Sequence, residues 1–273
     1  MKVAYLGPKG TFSEEASFRY FKGDDIDWHM SYSVLDVLEA VREGTVDKGI
    51  VPIENSIEGT ITMTVDGLLM YELFVEGEIV LPVTLNLLTS AETSLTNIKE
   101  VWSIAPALAQ CREFTRKLKV LTKHFDSTSS AAEAVKNSER NDVAAVASEW
   151  AAKALDLHVL ERSIQDNEVN HTRFVVVSKT QSTPPNPHKT MLLVTPNEDN
   201  AGVLSKILNV FSALNINLTW IESRPTKKKL GTYQFFLEAA AGEKDRAMEK
   251  AITILQTLEH QVSILGSYNT TNL

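Results

Sequence analysis

The chain has a single cysteine, Cys111, in 273 residues. No internal disulfide can form, and a multi-cysteine zinc site lacks its donors. The six histidines are scattered at 29, 124, 158, 171, 188 and 260 without ligand spacing, so no metal is expected. Positive charge is in deficit: 27 Lys and Arg stand against 35 Asp and Glu, a formal net charge of −8. That balance argues against a nucleic-acid binder, which must neutralise many phosphates. Long apolar runs are missing too. The longest, IVLPVTLNLL at 79–88, is about half the length a membrane helix needs, and MKVAYLGPKG has no signal-peptide core. Disorder is excluded by what is present, 43% hydrophobic and 23% charged residues distributed along the chain. The expectation left is a globular, cytoplasmic protein that handles small molecules and keeps clear of membranes.

Proline is sparse except in TQSTPPNPHKT, where Pro184, Pro185 and Pro187 fall together. Such density fixes φ and removes backbone donors, so neither helix nor central strand runs through it. The charge also divides there. Residues 1–180 hold 18 basic and 27 acidic side chains, and 181–273 hold 9 and 8. The expected organisation is a domain over 1–180, a linker over 181–188 and a smaller domain over 189–273.

In the first domain short apolar strands alternate with amphipathic helices. KVAYL and GIVPI are strands. SEEASFRYF, with Ser13 as N-cap, SVLDVLEAVREG and ALAQCREFTRKL are helices. Such alternation predicts an α/β fold with a mostly parallel sheet, its ligands at strand ends in loops that enter helices. The second domain reads βαββαβ, with two helices on one face of an antiparallel sheet in a ferredoxin-like arrangement. It contains no catalytic cluster, so a binding or interaction module is expected.

Four loops are the candidate sites. LGPKGTFSEEA follows a strand, but Gly7 and Gly10 lack the third glycine of a dinucleotide fingerprint, and Pro8 removes an N–H. A helix N-terminus with Lys9, Thr11 and Ser13 suits a smaller anion such as a carboxylate, although on this loop alone a tight turn with an ordinary N-cap is the stronger account. IVPIENSIEGT sets Glu54, Asn55, Ser56 and Glu58 directly behind a buried strand, as a polar-ligand loop or a solvated turn. FDSTSSAAEAV offers Ser127, Thr128, Ser129 and Ser130 ahead of a helix, as ligands or as N-caps. In NHTRFVVVS, an extended backbone puts Asn170, Thr172 and Phe174 on one face and His171, Arg173 and Val175 on the other. Asn170 and Thr172 side by side could bind a hydroxyl and a carboxylate.

Over its full length the chain resembles the prephenate dehydratase family. GPKGTFSEEA is similar to that family's GPxGTFSxxA signature, VPIENSIEGT to its PxENSxxG segment, ALAQC to the helix after its central strand, and NHTRFVVVS to its TRF motif. IESRP and the AGVL/KIL stretch resemble the phenylalanine-binding signature of an ACT domain. Two departures stand out. Ile104-Ala105-Pro106 replaces the family's His-Pro-Gln, so no histidine role carries over, and Ala201-Gly202-Val203-Leu204 replaces Pro-Gly-Ala-Leu.

The resemblance implies a catalytic domain of two α/β lobes around a cleft, like a type II periplasmic binding protein, plus a ferredoxin-like ACT regulatory domain. Lobe 1 would span about 1–78 and 170–180, and lobe 2 about 79–169. It implies conversion of prephenate to phenylpyruvate without a cofactor, inhibited by L-phenylalanine. Thr172 would assist departure of the hydroxyl. Thr11, Asn55, Ser56, Glu58, Ser127, Thr128, Ser129, Asn170, Arg173 and Phe174 would bind substrate, with Arg173 or Lys9 as charge complement and Glu58 as an assisting acid if buried. Gly202, Val203, Leu204, Asn217, Glu222, Ser223, Arg224 and Pro225 would bind the effector, Ser223 and Arg224 tying an interface between ACT domains of a homodimer or homotetramer. An arogenate dehydratase and a non-catalytic amino-acid sensor remain as alternatives.

Overall fold

The computed structural model describes residues 1–23, 25–198, 200–227 and 231–272. Its first lobe comprises β1 (Lys2–Leu6), α1 (Phe12–Tyr20), β2 (Asp27–Ser31), α2 (Val34–Glu43), β3 (Lys48–Asn55), β4 (Gly59–Thr60), α3 (Thr62–Met70) and β5 (Phe74–Pro82). The second comprises β6 (Asn86–Thr89), β7 (Glu100–Ser103), α4 (Ala105–Gln110), α5 (Arg112–Leu118), β8 (Leu121–His124), α6 (Thr128–Lys136), β9 (Val143–Ala147), α7 (Glu149–Leu155) and β10 (His158–Glu161). The chain then returns to lobe 1 as β11 (His171–Ser178), inserted between β3 and β5 and antiparallel to both.

That return corrects the expectation of a mostly parallel sheet. β1 pairs in parallel with β2 and β3, but β5 leaves lobe 1 at the cleft and β11 enters there, so these neighbours must run in opposite directions. The second sheet, ordered β10-β6-β9-β7-β8, is mixed for the same reason. β11 alternates as expected. Phe174 and Val176 pack with Val3, Tyr5 and Ile50 on one face, while Val175 and Val177 pack with Val37, Leu38 and Val65 on the other. In β9, Ala144 and Val146 face one layer of helices and Val143, Ala145 and Ala147 the other. Mostly small side chains let both layers approach this strand closely.

The C-terminal unit comprises β12 (Lys189–Thr195), α8 (Val203–Ala213), β13 (Leu218–Pro225), β14 (Tyr233–Ala239), α9 (Arg246–Thr257) and β15 (Gln261–Tyr268), followed by β16 (Thr270–Asn272). Its sheet, ordered β13-β14-β12-β15, is antiparallel throughout and ferredoxin-like as the pattern predicts. One face buries Leu192, Val194, Phe235 and Leu237 against Ile207 and Phe211 of α8 and Met248 and Leu255 of α9.

The other face does not stand free. Met191, Trp220, Phe236, Leu265 and Tyr268 join one core with Val51, Val75, Val175 and Val177 of lobe 1. Gly266 permits the contact, because a Cβ there would lie 1.8 Å from the Val75 carbonyl oxygen. β16 then pairs in parallel with β5, at the edge of the lobe 1 sheet. The proline-rich segment therefore divides the sequence without dividing the core.

Candidate active site

A cleft of about 340 Å³ opens where the lobes meet. Lobe 1 contributes the start of α1 (Thr11, Phe12, Ser13) and the β3–α3 turn (Asn55, Glu58, Ile61). Lobe 2 contributes α4 (Pro106, Ala107, Gln110) and the start of α6 (Asp126, Ser127, Thr128). Val83, Leu85, Asn170 and Thr172 form the floor, where the chain crosses between the lobes.

Thr172 and Asn55 are paired across the β3–β11 ladder. Asn55 Nδ2 donates to Thr172 Oγ1 at 2.9 Å, to Asn170 Oδ1 at 2.9 Å and to the His171 carbonyl at 3.2 Å. Its Oδ1 accepts from the amides of Ile57 (2.9 Å) and Glu58 (3.0 Å), which fixes the orientation of the amide. Thr172 Oγ1 thus accepts from Asn55 and keeps its own proton for a group in the cleft. Asn170, 2% exposed, donates to Gln110 Oε1 at 2.9 Å, and Gln110 Nε2 donates to Glu58 Oε1 at 3.3 Å. A hydrogen-bonded chain from Thr172 to Glu58 therefore passes through both lobes.

Two helix N-termini, with unpaired first-turn amides and the positive end of the helix dipole, face this space. Thr11, not Ser13, caps α1: its Oγ1 accepts from Glu14 N at 3.2 Å while donating to the Leu6 carbonyl at 2.8 Å. Ser127 caps α6 in a reciprocal capping box with Ser130. Gly10, at φ +87°, seats the first loop on lobe 2, where a Cβ would lie 2.7 Å from Ser129 Oγ and 3.1 Å from Ala151 Cα.

Six of the ten expected substrate residues line the cleft with Thr172: Thr11, Asn55, Glu58, Ser127, Thr128 and Asn170. Four do not. Ser56 Oγ accepts from the His171 amide at 2.9 Å, closing the end of the ladder. Ser129, fully buried, donates to the Lys9 carbonyl. Phe174 is a core residue, 1% exposed. Arg173 points to the opposite face of β11, as alternation dictates, and is buried against Glu78 and Glu238. Lys9 is exposed and also lies outside the lining, so neither expected cation complements a ligand here. Glu58 is exposed as well, which removes the condition on which an acid role rested.

The pattern of the sequence missed Gln110, Phe12, Ile61, Val83 and Leu85. Gln110 stands in the ALAQC segment, and that motif was its only signal. Among the described residues no group of three or more His, Cys, Asp or Glu could hold a metal ion. Cys111, beside Gln110, is no nucleophile: burial, then the Asp166 charge, push its thiol up to about 12.

In the C-terminal unit Gly202, at φ +84°, precedes α8, with Val203 and Leu204 in its first turn. Asn217 is exposed at the entry to β13, while Glu222, Ser223 and Pro225 lie along that strand. Arg224 of the same strand grips Asp66 on α3 of lobe 1 with two bonds, at 2.7 and 2.8 Å.

The profile of the family described as prephenate dehydratase matches residues 3–182, and that of the ACT domain matches 194–255. The bifunctional chorismate mutase/prephenate dehydratase of Aquifex aeolicus is 41% identical over 270 residues, 98% of this chain and 73% of that protein. The prephenate dehydratase structure from Staphylococcus aureus superposes with a TM-score of 0.90 at 37% identity, covering 98% of this chain and 100% of the other. The Arthrobacter aurescens prephenate dehydratase, crystallised with L-Phe, superposes at 0.88 with 32% identity, covering 98% and 90%. With these matches along nearly its whole length, the chain belongs to the prephenate dehydratase family.

Proposed function

We propose that the chain converts prephenate to phenylpyruvate, with Thr172 as the group that assists departure of the hydroxyl. The observation that carries this is the pairing of Asn55 with Thr172 on the floor of the cleft. Prephenate is a dianion with a ring hydroxyl at one end and the carboxylate to be lost at the other. In one elimination the ring C–O bond and the bond to the carboxylate break, carbon dioxide departs, and the released electron pair completes the aromatic ring. The hydroxyl leaves as water with a proton replaced from solvent. A hydrogen bond from Thr172 strengthens as negative charge develops on the leaving oxygen.

The helix N-termini at Thr11 and Ser127–Thr128, with Asn170 and Gln110, hold the carboxylates by dipoles rather than by a counter-ion. A carboxylate held without a cation beside Phe12, Ile61, Val83 and Leu85 is more readily lost, because nothing anchors its charge. Aromatisation supplies the driving force, so this reading requires no cofactor. In the cytoplasm the C-terminal unit would bind L-phenylalanine, its carboxylate toward the amides at Gly202–Leu204 and its ammonium toward Asn217 and Glu222. A homodimer or homotetramer would form along the β13 edge, where Ile221 of β13 and Tyr233 of the neighbouring β14 are 43% and 45% exposed. Coupling of about 1–3 kcal/mol between the sites would change substrate affinity roughly 5–150-fold.

The test is phenylpyruvate absorbance on adding prephenate, with arogenate in parallel, before and after phenylalanine. Turnover of prephenate that survives a chelator and falls with phenylalanine is the expected result. Faster turnover of arogenate would reassign the substrate, and binding without turnover of either would make the chain a sensor.

A further inference from the structure

Behind the cleft, on the opposite face of β11, four charged side chains cluster, three of them buried and Lys189 half-buried. Arg173 Nη1 meets Glu78 Oε2 at 3.1 Å and also bonds Glu238 Oε2. Lys189 Nζ reaches Glu78 Oε1 at 2.5 Å and Glu238 Oε1 at 3.2 Å. The side chains of Arg173, Glu78 and Glu238 are 9%, 0% and 1% exposed. Tyr268 OH donates to Glu238 at 2.6 Å, and the Arg173 guanidinium lies 5.4 Å over the Trp220 ring. Arg173 and Glu78 belong to lobe 1, whereas Glu238, Lys189, Tyr268 and Trp220 belong to the C-terminal unit.

Such a quartet is a poor source of stability, since apolar side chains of similar volume would commonly serve as well or better. What it fixes is position, and the register shows what is positioned. Thr172 pairs with Asn55 on the cleft face, and the next pair, Arg173 with Glu54, stands behind them with Nε and Oε2 3.2 Å apart. Immediately beyond, the ladder slips by one residue, Phe174 pairing with Pro52. The extra residue, Ile53, lies on β3, and this bulge re-aims the side chains beside it, so the ladder alone does not set how Asn55 meets Thr172. We infer that Arg173 is a positioning residue for Thr172, and that Glu238 of the C-terminal unit completes the catalytic strand by holding the Arg173 guanidinium. The regulatory unit is then part of the basal catalytic apparatus.

The rate arm of the test rests on the dehydratase reading. The comparison is Glu238→Gln, which keeps the shape and removes the charge, with Asp66→Asn, which weakens a different contact between the units, Arg224–Asp66, and touches neither β11 nor the cleft. Glu238→Gln should lower kcat roughly 10-fold or more, as small misplacements of catalytic groups do, with KM within about twofold. In a Thr172→Val background the same change should have almost no further effect on kcat, because the group it positions is gone. Asp66→Asn should leave kcat unchanged. Hydrogen exchange of the peptide covering 171–174, read by mass spectrometry, should rise in Glu238→Gln and not in Asp66→Asn; it decides the matter even if wild type does not turn over prephenate. Two outcomes would overturn the inference: kcat and exchange in Glu238→Gln equal to wild type, or an equal loss of rate with and without Thr172.

Discussion

A threonine hydroxyl is a weak acid in water, and its usefulness at position 172 depends on what occupies its lone pairs. Asn55 does so, and the amide cannot turn over because Ile57 and Glu58 hold its oxygen. Thr172→Val keeps the shape of the site and removes the donor. Turnover should fall by roughly two to four orders of magnitude, the range for a positioned catalytic group, while the melting temperature hardly moves. Asn55 differs, because its amide joins β3, β11 and the turn after β3. Asn55→Ala should therefore reduce both turnover and stability, the latter by about 1–3 kcal/mol for partners left unsatisfied. Thermal melts beside kinetics separate the two variants, and an Asn55→Ala protein as stable as wild type would contradict this reading of the bonds. At this scale the sequence was partly legible. Period-two alternation on β11 placed Thr172 and Asn170 together and Arg173 behind them, which already spoke against Arg173 as a substrate ligand. Gln110 was not legible by pattern, because its role depends on α4 of one lobe meeting β11 of the other.

Among the elements, those with an apolar rhythm or a cap were readable, and those without were not. α2 begins at Ser33 and closes on Gly44 in the left-handed region, in keeping with SVLDVLEAVREG. β2 (DWHMS) and β8 (LTKH) carry polar side chains at most positions and β10 (HVLE) at both its ends; each is an edge of its sheet, and no buried stripe betrays them. ALAQCREFTRKL has one helical period throughout, yet it breaks at Cys111, where the thiol is drawn into the lobe 2 core. The first loop shows what an element junction contributes to function. Gly10 lies against Ser129 and Ala151, Ser129 bonds the Lys9 carbonyl, and Trp150 Nε1 reaches Glu14 at 2.7 Å. These contacts set the angle at which α1 faces α6 across the cleft. Gly10→Ala adds left-handed strain of roughly 1 kcal/mol and a clash that only movement of α6 or α7 relieves. Lower thermal stability with a raised KM for prephenate is expected. A KM equal to that of wild type would mean that the loop does not set the lobe spacing.

Across the whole molecule, charge and core are shared between units that the sequence keeps apart. Burial alone would raise the Glu238 carboxyl, but Arg173 and Lys189 more than offset it and hold it below the ordinary glutamate value of 4.5. In the window between its folded and unfolded values the unfolded chain binds more protons, so stability rises with pH. This contribution is complete above about pH 5 and is lost as pH falls through the folded value. The acid limb of a stability–pH curve should therefore be shallower in Glu238→Gln, and an unchanged limb would show that the quartet does not act as a unit. The same sharing decides how the protein responds to a cut at the prolines. Composition and charge predict two modules with separate cores, and on that view a chain ended after Ser182 would keep its turnover. The C-terminal unit has a core of its own, but its other face shares a core with lobe 1, which argues for a different outcome. Val51, Val75, Val175 and Val177 would lose Met191, Trp220, Phe236 and Tyr268 from their shared core, β5 would lose β16, and Arg173 would keep Glu78 without Glu238. Each large side chain withdrawn from such a core forfeits about 1.5–3 kcal/mol, and a domain's whole stability is about 5–15 kcal/mol. The shortened chain should melt without cooperativity or precipitate, and it should show little turnover even where helical circular dichroism persists. Restoring residues 183–273 as a separate chain should recover activity in proportion to complex formed, because the missing surface is then supplied in trans. A shortened chain that melts cooperatively near the wild-type temperature and turns over prephenate at the wild-type rate would show that the cleft stands on lobe 1 and lobe 2 alone.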